Sequence, residues 1–259
     1  MTEELILQVT ALNKSFGGIK ATNDVNYELR SRELSAIIGP NGAGKSTTVK
    51  IIVGLIKPSS GHVLFEGRPI EKQIIEFKAR LGYVPEETLL YSHLSGREYL
   101  QLAGRLRSIP EDVLNWKIDE LLRLFSLTFS RYSPISAHSR GMKQKIMMIA
   151  ALLHNPDILI LDEPLSGLDV TSILIVRSLL KSLAAQGKTI LYCSHVLEVV
   201  EKICSRVFVI HKGSLVADDS VENLRHLMKL PSLEEIFTQL IQHENTEQVA
   251  QQMVEVVQN

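Results

Sequence analysis

The chain has 259 residues, 45% of them apolar, enough to bury one substantial core with a smaller lobe. Twenty-eight Lys and Arg against 29 Asp and Glu leave a net charge of −1, so no basic field marks nucleic acid as the main partner. Two cysteines, Cys193 and Cys204, make neither a disulfide framework nor a metal cluster and fit a reducing cytosol, and no apolar run approaches the roughly 20 residues of a membrane-spanning helix.

The acidic start, Met1-Thr-Glu-Glu, lacks the basic-then-apolar order of a signal peptide. A soluble chain is expected, one that reaches a membrane only by docking on another protein. Strand-like runs follow at Leu5 to Leu12, Asp24 to Leu29 and His62 to Phe65, with Gly61 and Gly67 as punctuation. They predict an antiparallel lobe around the apolar run Leu34-Ser-Ala-Ile-Ile38, which leads into Gly39-Pro-Asn-Gly-Ala-Gly-Lys-Ser-Thr47. This is the glycine-rich phosphate loop of nucleotide hydrolases, a full G-x-x-x-x-G-K-[ST] pattern between a strand and a helix. Gly39, Gly42 and Gly44 let the backbone turn successive N–H groups inward, so the stretch Gly39, Pro40, Asn41, Gly42, Ala43 and Gly44 forms a nest for phosphate oxygens. The helix starting near Lys45, with Ser46 and Thr47 in its first turn, adds its positive end. Lys45 can reach the β- and γ-phosphates, and the Ser46 hydroxyl can ligate Mg²⁺. ATP or GTP binding is therefore expected.

From about Glu98 to Leu153 the periodicity becomes helical, with Leu114, Ile118, Leu121, Leu122 and Phe125 forming a core-facing stripe. Within it, Ser139-Arg-Gly-Met-Lys-Gln144 opens an apolar helix. Ser139 and Gly141 there read as a plain N-cap, though such a helix start is also ready for an anion. Asp157 to Leu161 is a continuous apolar strand that delivers Asp162 and Glu163 to its C-terminal edge, where parallel sheets place ligands. Asp162 can hold Mg²⁺ while Glu163 orients and deprotonates the attacking water. The turn Pro164-Leu-Ser-Gly-Leu-Asp169 leads into a helix over Val170 to Ala185, with Asp169 its N-cap. Thr189 to Cys193 is a second buried strand, making Cys193 a small hydrophobe. It ends in Ser194-His195: Ser194 can cap the helix starting near Val196, and His195 can serve either the structure or the γ-phosphate. Arg206 to Ile210 is a further strand. The sum is an α/β core interrupted by a helical insertion at about residues 87–155. Beyond Leu233, two short helical patterns (Leu233/Ile236/Phe237/Leu240/Ile241 and Val249/Met253/Val256/Val257) read as a capping pair, with a dimerisation or regulatory role left open.

In this order the motifs resemble the nucleotide-binding subunit of ATP-binding cassette (ABC) transporters over about residues 5–230. The resemblance implies a fold of class α/β: a P-loop NTPase core with an antiparallel β subdomain and an inserted helical subdomain. Its domains would be an ATPase domain over 1–230 and a helical extension over 231–259. It implies ATP and Mg²⁺ as cofactors, with Phe16 stacking on adenine, Lys45 on phosphate, and Ser46, Asp162 and Glu86 toward the metal. Glu86 stands where the family has its Q-loop glutamine. Glu163 would be the catalytic base and His195 the switch histidine. Ser166-Gly-Leu-Asp169 matches the D-loop, so Asp169 joins the nucleotide set. The signature stands as His138-Ser-Arg-Gly-Met142, keeping Ser139 and Gly141, the pair that touches phosphate across a dimer, while Arg140 and Met142 replace Gly and Gln. The altered signature and Glu86 in the Q-loop, with the Pro231-Ser-Leu-Glu-Glu-Ile-Phe237 ending, look like the bacterial exporter branch for drugs, polysaccharides, lipids or sodium. The implied partners are a second ABC subunit, identical or different, and a separate integral-membrane permease, with no nucleic acid; the implied place is the cytoplasmic face of the cell membrane. The alternative is a soluble single-cassette ATPase switch, as in iron–sulfur cluster assembly. A non-hydrolysing regulator fits poorly with Lys45, Asp162, Glu163 and His195 all present.

Overall fold

The computed structural model describes residues 4–230, 232–241, 253, 254 and 256. Strands β1 (Leu5–Phe16) and β2 (Ile19–Arg30) form a long hairpin. β3 (Leu34–Ile38) leads into helix α1 (Lys45–Ile52). β4 (Ser60–Phe65) and the two-residue β5 (Arg68–Pro69) complete a four-stranded antiparallel sheet in the order β2-β1-β4-β5. After α2 (Ile74–Arg80) and β6 (Leu81–Val84) come the helices of the insertion, α3 (Gly96–Leu106), α4 (Glu111–Leu124) and α5 (Arg140–Leu152). β7 (Ile158–Asp162), α6 (Val170–Ala185), β8 (Thr189–Cys193), α7 (Leu197–Ile203), β9 (Arg206–His211) and β10 (Ser214–Ser220) follow, and α8 (Val221–Met228) and α9 (Leu233–Ile241) close the chain.

The second sheet runs β10-β9-β3-β8-β7-β6; all its pairs are parallel except the edge pair β10–β9. It lies between two cores, and its strands alternate between them as the two-residue period of a strand requires. Ile37, Ile158, Ile160, Leu191 and Phe208 pack toward the antiparallel sheet and α1, with Leu7, Val25 and Ile52. Ile38, Leu159, Leu161, Ile190 and Val207 pack toward the helices, with Leu100, Leu114, Ile146 and Val176. Burial on both faces is why these strands read as unbroken apolar runs. In α4, Leu114, Ile118 and Leu122 are buried, with Phe125 just beyond the helix, and Leu121 is half-buried, as its stripe predicts.

Several boundaries differ from the sequence reading. β1 and β2 extend past Leu12 and begin before Asp24, because Lys14, Ser15 and Phe16 pair with Thr22, Lys20 and Ile19 through backbone rather than apolar contacts. β6 and β10 carry no clear pattern of their own. The four residues of β6 are a strand because they pair with β7, and β10 is a polar edge tied by Arg206 to Asp218 at 2.6 Å and 2.9 Å. The first tail helix, α9, packs on α7 and α8 with Leu233 and Ile236 fully buried. The second tail pattern lies largely outside the described residues.

Candidate nucleotide site

Parallel strands end at a common edge. The register sets Ile37 and Asp162 both opposite Cys193, and Val84 opposite Leu161. The loop after β3, the end of β7, Ser194-His195 after β8 and Glu86 after β6 therefore converge. They surround a cavity of about 400 Å³ lined by Asn41, Gly42, Gly44, Lys45, Ser46, Thr47, Glu86, Asp162, Glu163 and His195, together with Ala21. Ala21 was not foreseen; it arrives through the β1–β2 hairpin, and nothing near it in the sequence signals a ligand.

Gly44 sits at φ +105°, and a Cβ there would lie 2.2 Å from the Ala21 carbonyl oxygen, so only glycine fits where the hairpin crosses the loop. Lys45 is buried, and its Nζ donates to the carbonyls of Gly39 (2.8 Å) and Pro40 (3.1 Å). An ammonium has three protons, so one remains for a ligand. Ala43 is buried beneath the loop, where its carbonyl accepts from Gly213 N–H at 2.9 Å. α1 has no side-chain cap among the described residues, which leaves its first N–H groups for an anion at the positive helix end.

Asp162 closes β7 at 1% exposure, and no hydrogen bond reaches either carboxylate oxygen among the described residues. Burial raises its pKa above the ordinary carboxylate value, with Cys193 and Ser46 nearby pulling it partly back. Burial and the neighbouring Asp162 in turn push the Cys193 thiol well up, so it stays protonated. An orphaned buried carboxylate next to the Ser46 hydroxyl, which itself donates to Glu86 Oε2 at 3.3 Å, is a donor set suited to a hard cation. No group of three or more His, Cys, Asp or Glu forms a self-contained metal site among the described residues. Mg²⁺ binds through one or two carboxylates plus substrate phosphates, and Asp162, Glu86 and the Ser46 hydroxyl offer donors of that kind.

Glu163 has its backbone at φ +48° and its N–H bonded to Cys193 O at 2.9 Å. Its Oε1 accepts from the His195 N–H (2.9 Å) and lies 2.6 Å from His195 Nδ1, while Oε2 accepts from the Ser194 hydroxyl at 3.1 Å. A carboxylate here can only accept, so Nδ1 carries the proton in that contact.

The remaining sequence-predicted residues lie off the cavity. Phe16 stands at the hairpin tip, 51% exposed, with Lys14 Nζ 5.0 Å from its ring centre. Ser139 caps α5, accepting from Met142 N–H at 3.3 Å. A Cβ on Gly141 would lie 2.4 Å from the Gly167 carbonyl oxygen, so the signature helix and the D-loop pack backbone to backbone. Asp169 caps α6 as expected, taking the Ser172 N–H (2.9 Å) and hydroxyl (2.6 Å) and pairing with Lys145 at 3.5 Å. None of Ser139, Gly141 and Asp169 lines the cavity that holds Lys45 and Glu163.

The ABC transporter family signature matches residues 22–166. An uncharacterized ABC transporter ATP-binding protein of Nostoc sp. is 41% identical over 74% of this chain, and the chain spans 57% of that relative's length. The bacitracin transport ATP-binding protein BcrA of Bacillus licheniformis is 34% identical over 85% of this chain and 71% of its own. A solved ATP binding subunit of an ABC transporter superposes with a TM-score of 0.85 at 32% identity, covering 91% of this chain and 99% of that one. With the phosphate loop, the acidic strand end and the histidine converging on one cavity, the chain belongs to the ABC transporter family.

Proposed function

We propose that the chain hydrolyses ATP to drive a separate membrane permease, two cassettes closing on the nucleotides between them. The observation that carries this reading is the single cavity shared by Lys45, Ser46, Asp162, Glu163 and His195. In it, the N–H groups of the loop and of the start of α1 hold the triphosphate, and Lys45 turns its free proton to the β- and γ-oxygens. Ser46, Asp162 and Glu86 would hold Mg²⁺, which supplies positive charge to the triphosphate when bound. Glu163 takes a proton from a water whose oxygen attacks the γ-phosphorus. The bond from that phosphorus to the β–γ bridging oxygen breaks, giving ADP and phosphate. His195 fixes Glu163 through Oε1, and Phe16 offers a face for adenine.

Ser139, Gly141 and Asp169 act in this reading from a second ABC subunit, since the chain's own fold keeps them off its own cavity. Closure is a population shift, because the nucleotide bridges only the closed pair. The helical insertion and the Glu86 loop pass that motion to the permease, which holds the chain at the cytoplasmic face of the membrane. The signature Ser139-Arg-Gly-Met142, with the likeness to a bacitracin transport protein, supports the exporter branch. The relatives compared are named as transporter components, which gives the soluble-switch alternative no support.

Glu163→Gln tests the chemistry: ATP still binds, and turnover falls by about 10²-fold or more, as loss of a general base entails. Turnover near wild type overturns the assignment. Affinity purification of tagged chain from detergent-solubilised native membranes tests the partner. Recovery of a multi-span membrane protein supports the transport reading, and recovery of soluble proteins alone overturns it.

A further inference from the structure

The Glu163 carboxylate is gripped by one short segment at the end of β8. Oε1 takes two contacts from His195, its backbone N–H and Nδ1, and Oε2 takes the Ser194 hydroxyl at 3.1 Å. Ser194 is the donor in this bond because an ionised carboxylate can only accept, and its Oγ in turn accepts from Val196 N–H at 3.1 Å. Ser194 is 1% exposed, so its hydroxyl reaches Oε2 from within the protein. The two oxygens of a carboxylate offer about four lone-pair sites, and these contacts occupy three, leaving one on Oε2. Ser194 does not cap α7 as its sequence position suggests: Val196 is the N-cap and the helix has no side-chain cap bond among the described residues, and Ser194 Oγ instead accepts from Val196 N–H in the tight turn just before the helix. The bond to Oε2 is a second and separate task, which exists only because β7 and β8 are neighbours.

We propose that Ser194 is a positioning residue for ATP hydrolysis: its hydroxyl locks the Glu163 carboxylate so that the remaining Oε2 lone pair faces the attacking water. A carboxylate turns as one rigid plane about its terminal torsion, which is broad for glutamate; His195 anchors that plane at Oε1 alone, and the Ser194 hydroxyl adds the second anchor, on Oε2. The proposal rests on Glu163 being the general base, and the test separates the two ideas.

Steady-state ATPase activity and ATP affinity are measured for wild type, Ser194→Ala, Ser194→Thr and Glu163→Gln. The expected result is a kcat about tenfold lower in Ser194→Ala with ATP affinity unchanged, as for a lost orientation of the reacting group, and recovery in Ser194→Thr, which keeps the hydroxyl. An unchanged kcat in Ser194→Ala overturns the proposal. So does a loss of ATP affinity in step with kcat, which assigns Ser194 to the fold, or a threonine variant no better than alanine, which assigns the loss to packing. If Glu163→Gln itself hydrolyses at the wild-type rate, the general-base reading fails, whatever the Ser194 variants do.

Discussion

Lys45 shows what burying a charge demands: two loop carbonyls accept from its ammonium, and without such partners the desolvated cation would cost several kcal/mol. Phe16 is the opposite case, a large apolar ring left half open at a hairpin tip. If adenine stacks there, Phe16→Ala weakens ATP binding by about 1–3 kcal/mol, the usual worth of a base–aromatic stack. Competition with GTP, measured by nucleotide displacement, becomes less selective in the same variant. Asp169 carries a pH prediction. Hydrogen bonds from the Ser172 hydroxyl and backbone N–H lower its carboxyl from the ordinary 3.8 to about 2. The folded value lies below the unfolded one, so the cap's contribution is present above 3.8 and fades as pH falls through 3.8 toward 2. Asp169→Ala therefore lowers the melting temperature at neutral pH, and thermal scans at successively lower pH show the gap to wild type closing.

At the scale of elements, α9 belongs to the main core. Leu233 and Ile236 are fully buried in the same cluster as β3, β7 and the insertion helices, held there by α7 and α8. Ile236→Ala is expected to destabilise the chain by about 2–5 kcal/mol, the range for truncating a buried isoleucine, while ATP affinity is kept, because Ile236 does not line the nucleotide cavity. Chemical denaturation reads the first effect and nucleotide titration the second. The helix was legible in the sequence as a stripe at spacings of three and four, but its docking site was not: α8 directly precedes it, while α7 is separated from it by β9 and β10, and their packing is set by the fold. The contact between Gly141 and Gly167 is similar. Each glycine stands in a recognisable motif, yet the 2.4 Å clearance that excludes a side chain from Gly141 arises only where α5 meets the turn before α6.

At the scale of the whole molecule, the proposed function makes the chain one half of a shared site. Ser139, Gly141 and Asp169 lie off the cavity that holds Lys45 and Glu163, so ATP is expected to bring two copies or two related cassettes together. Glu163→Gln, slow to hydrolyse, should elute as a dimer with ATP and as a monomer without it. A monomer under both conditions would remove the pairing of two identical copies. The sequence by itself determined the phosphate loop, the acidic strand end and the N-cap at Asp169, because these depend on neighbours within a few residues: a strand, a tight turn and a helix start. It determined the buried strands as well, since strands covered on both faces must be apolar throughout. The tertiary structure decided which of those pieces meet. Neighbouring parallel strands β3, β8 and β7 bring Lys45, His195 and Glu163 to one edge, a hairpin adds Ala21, and Ser194, which its sequence position suggests as a helix cap, grips Glu163 instead. Such contacts join residues distant in the chain, and strand order, which local patterns do not encode, selects them.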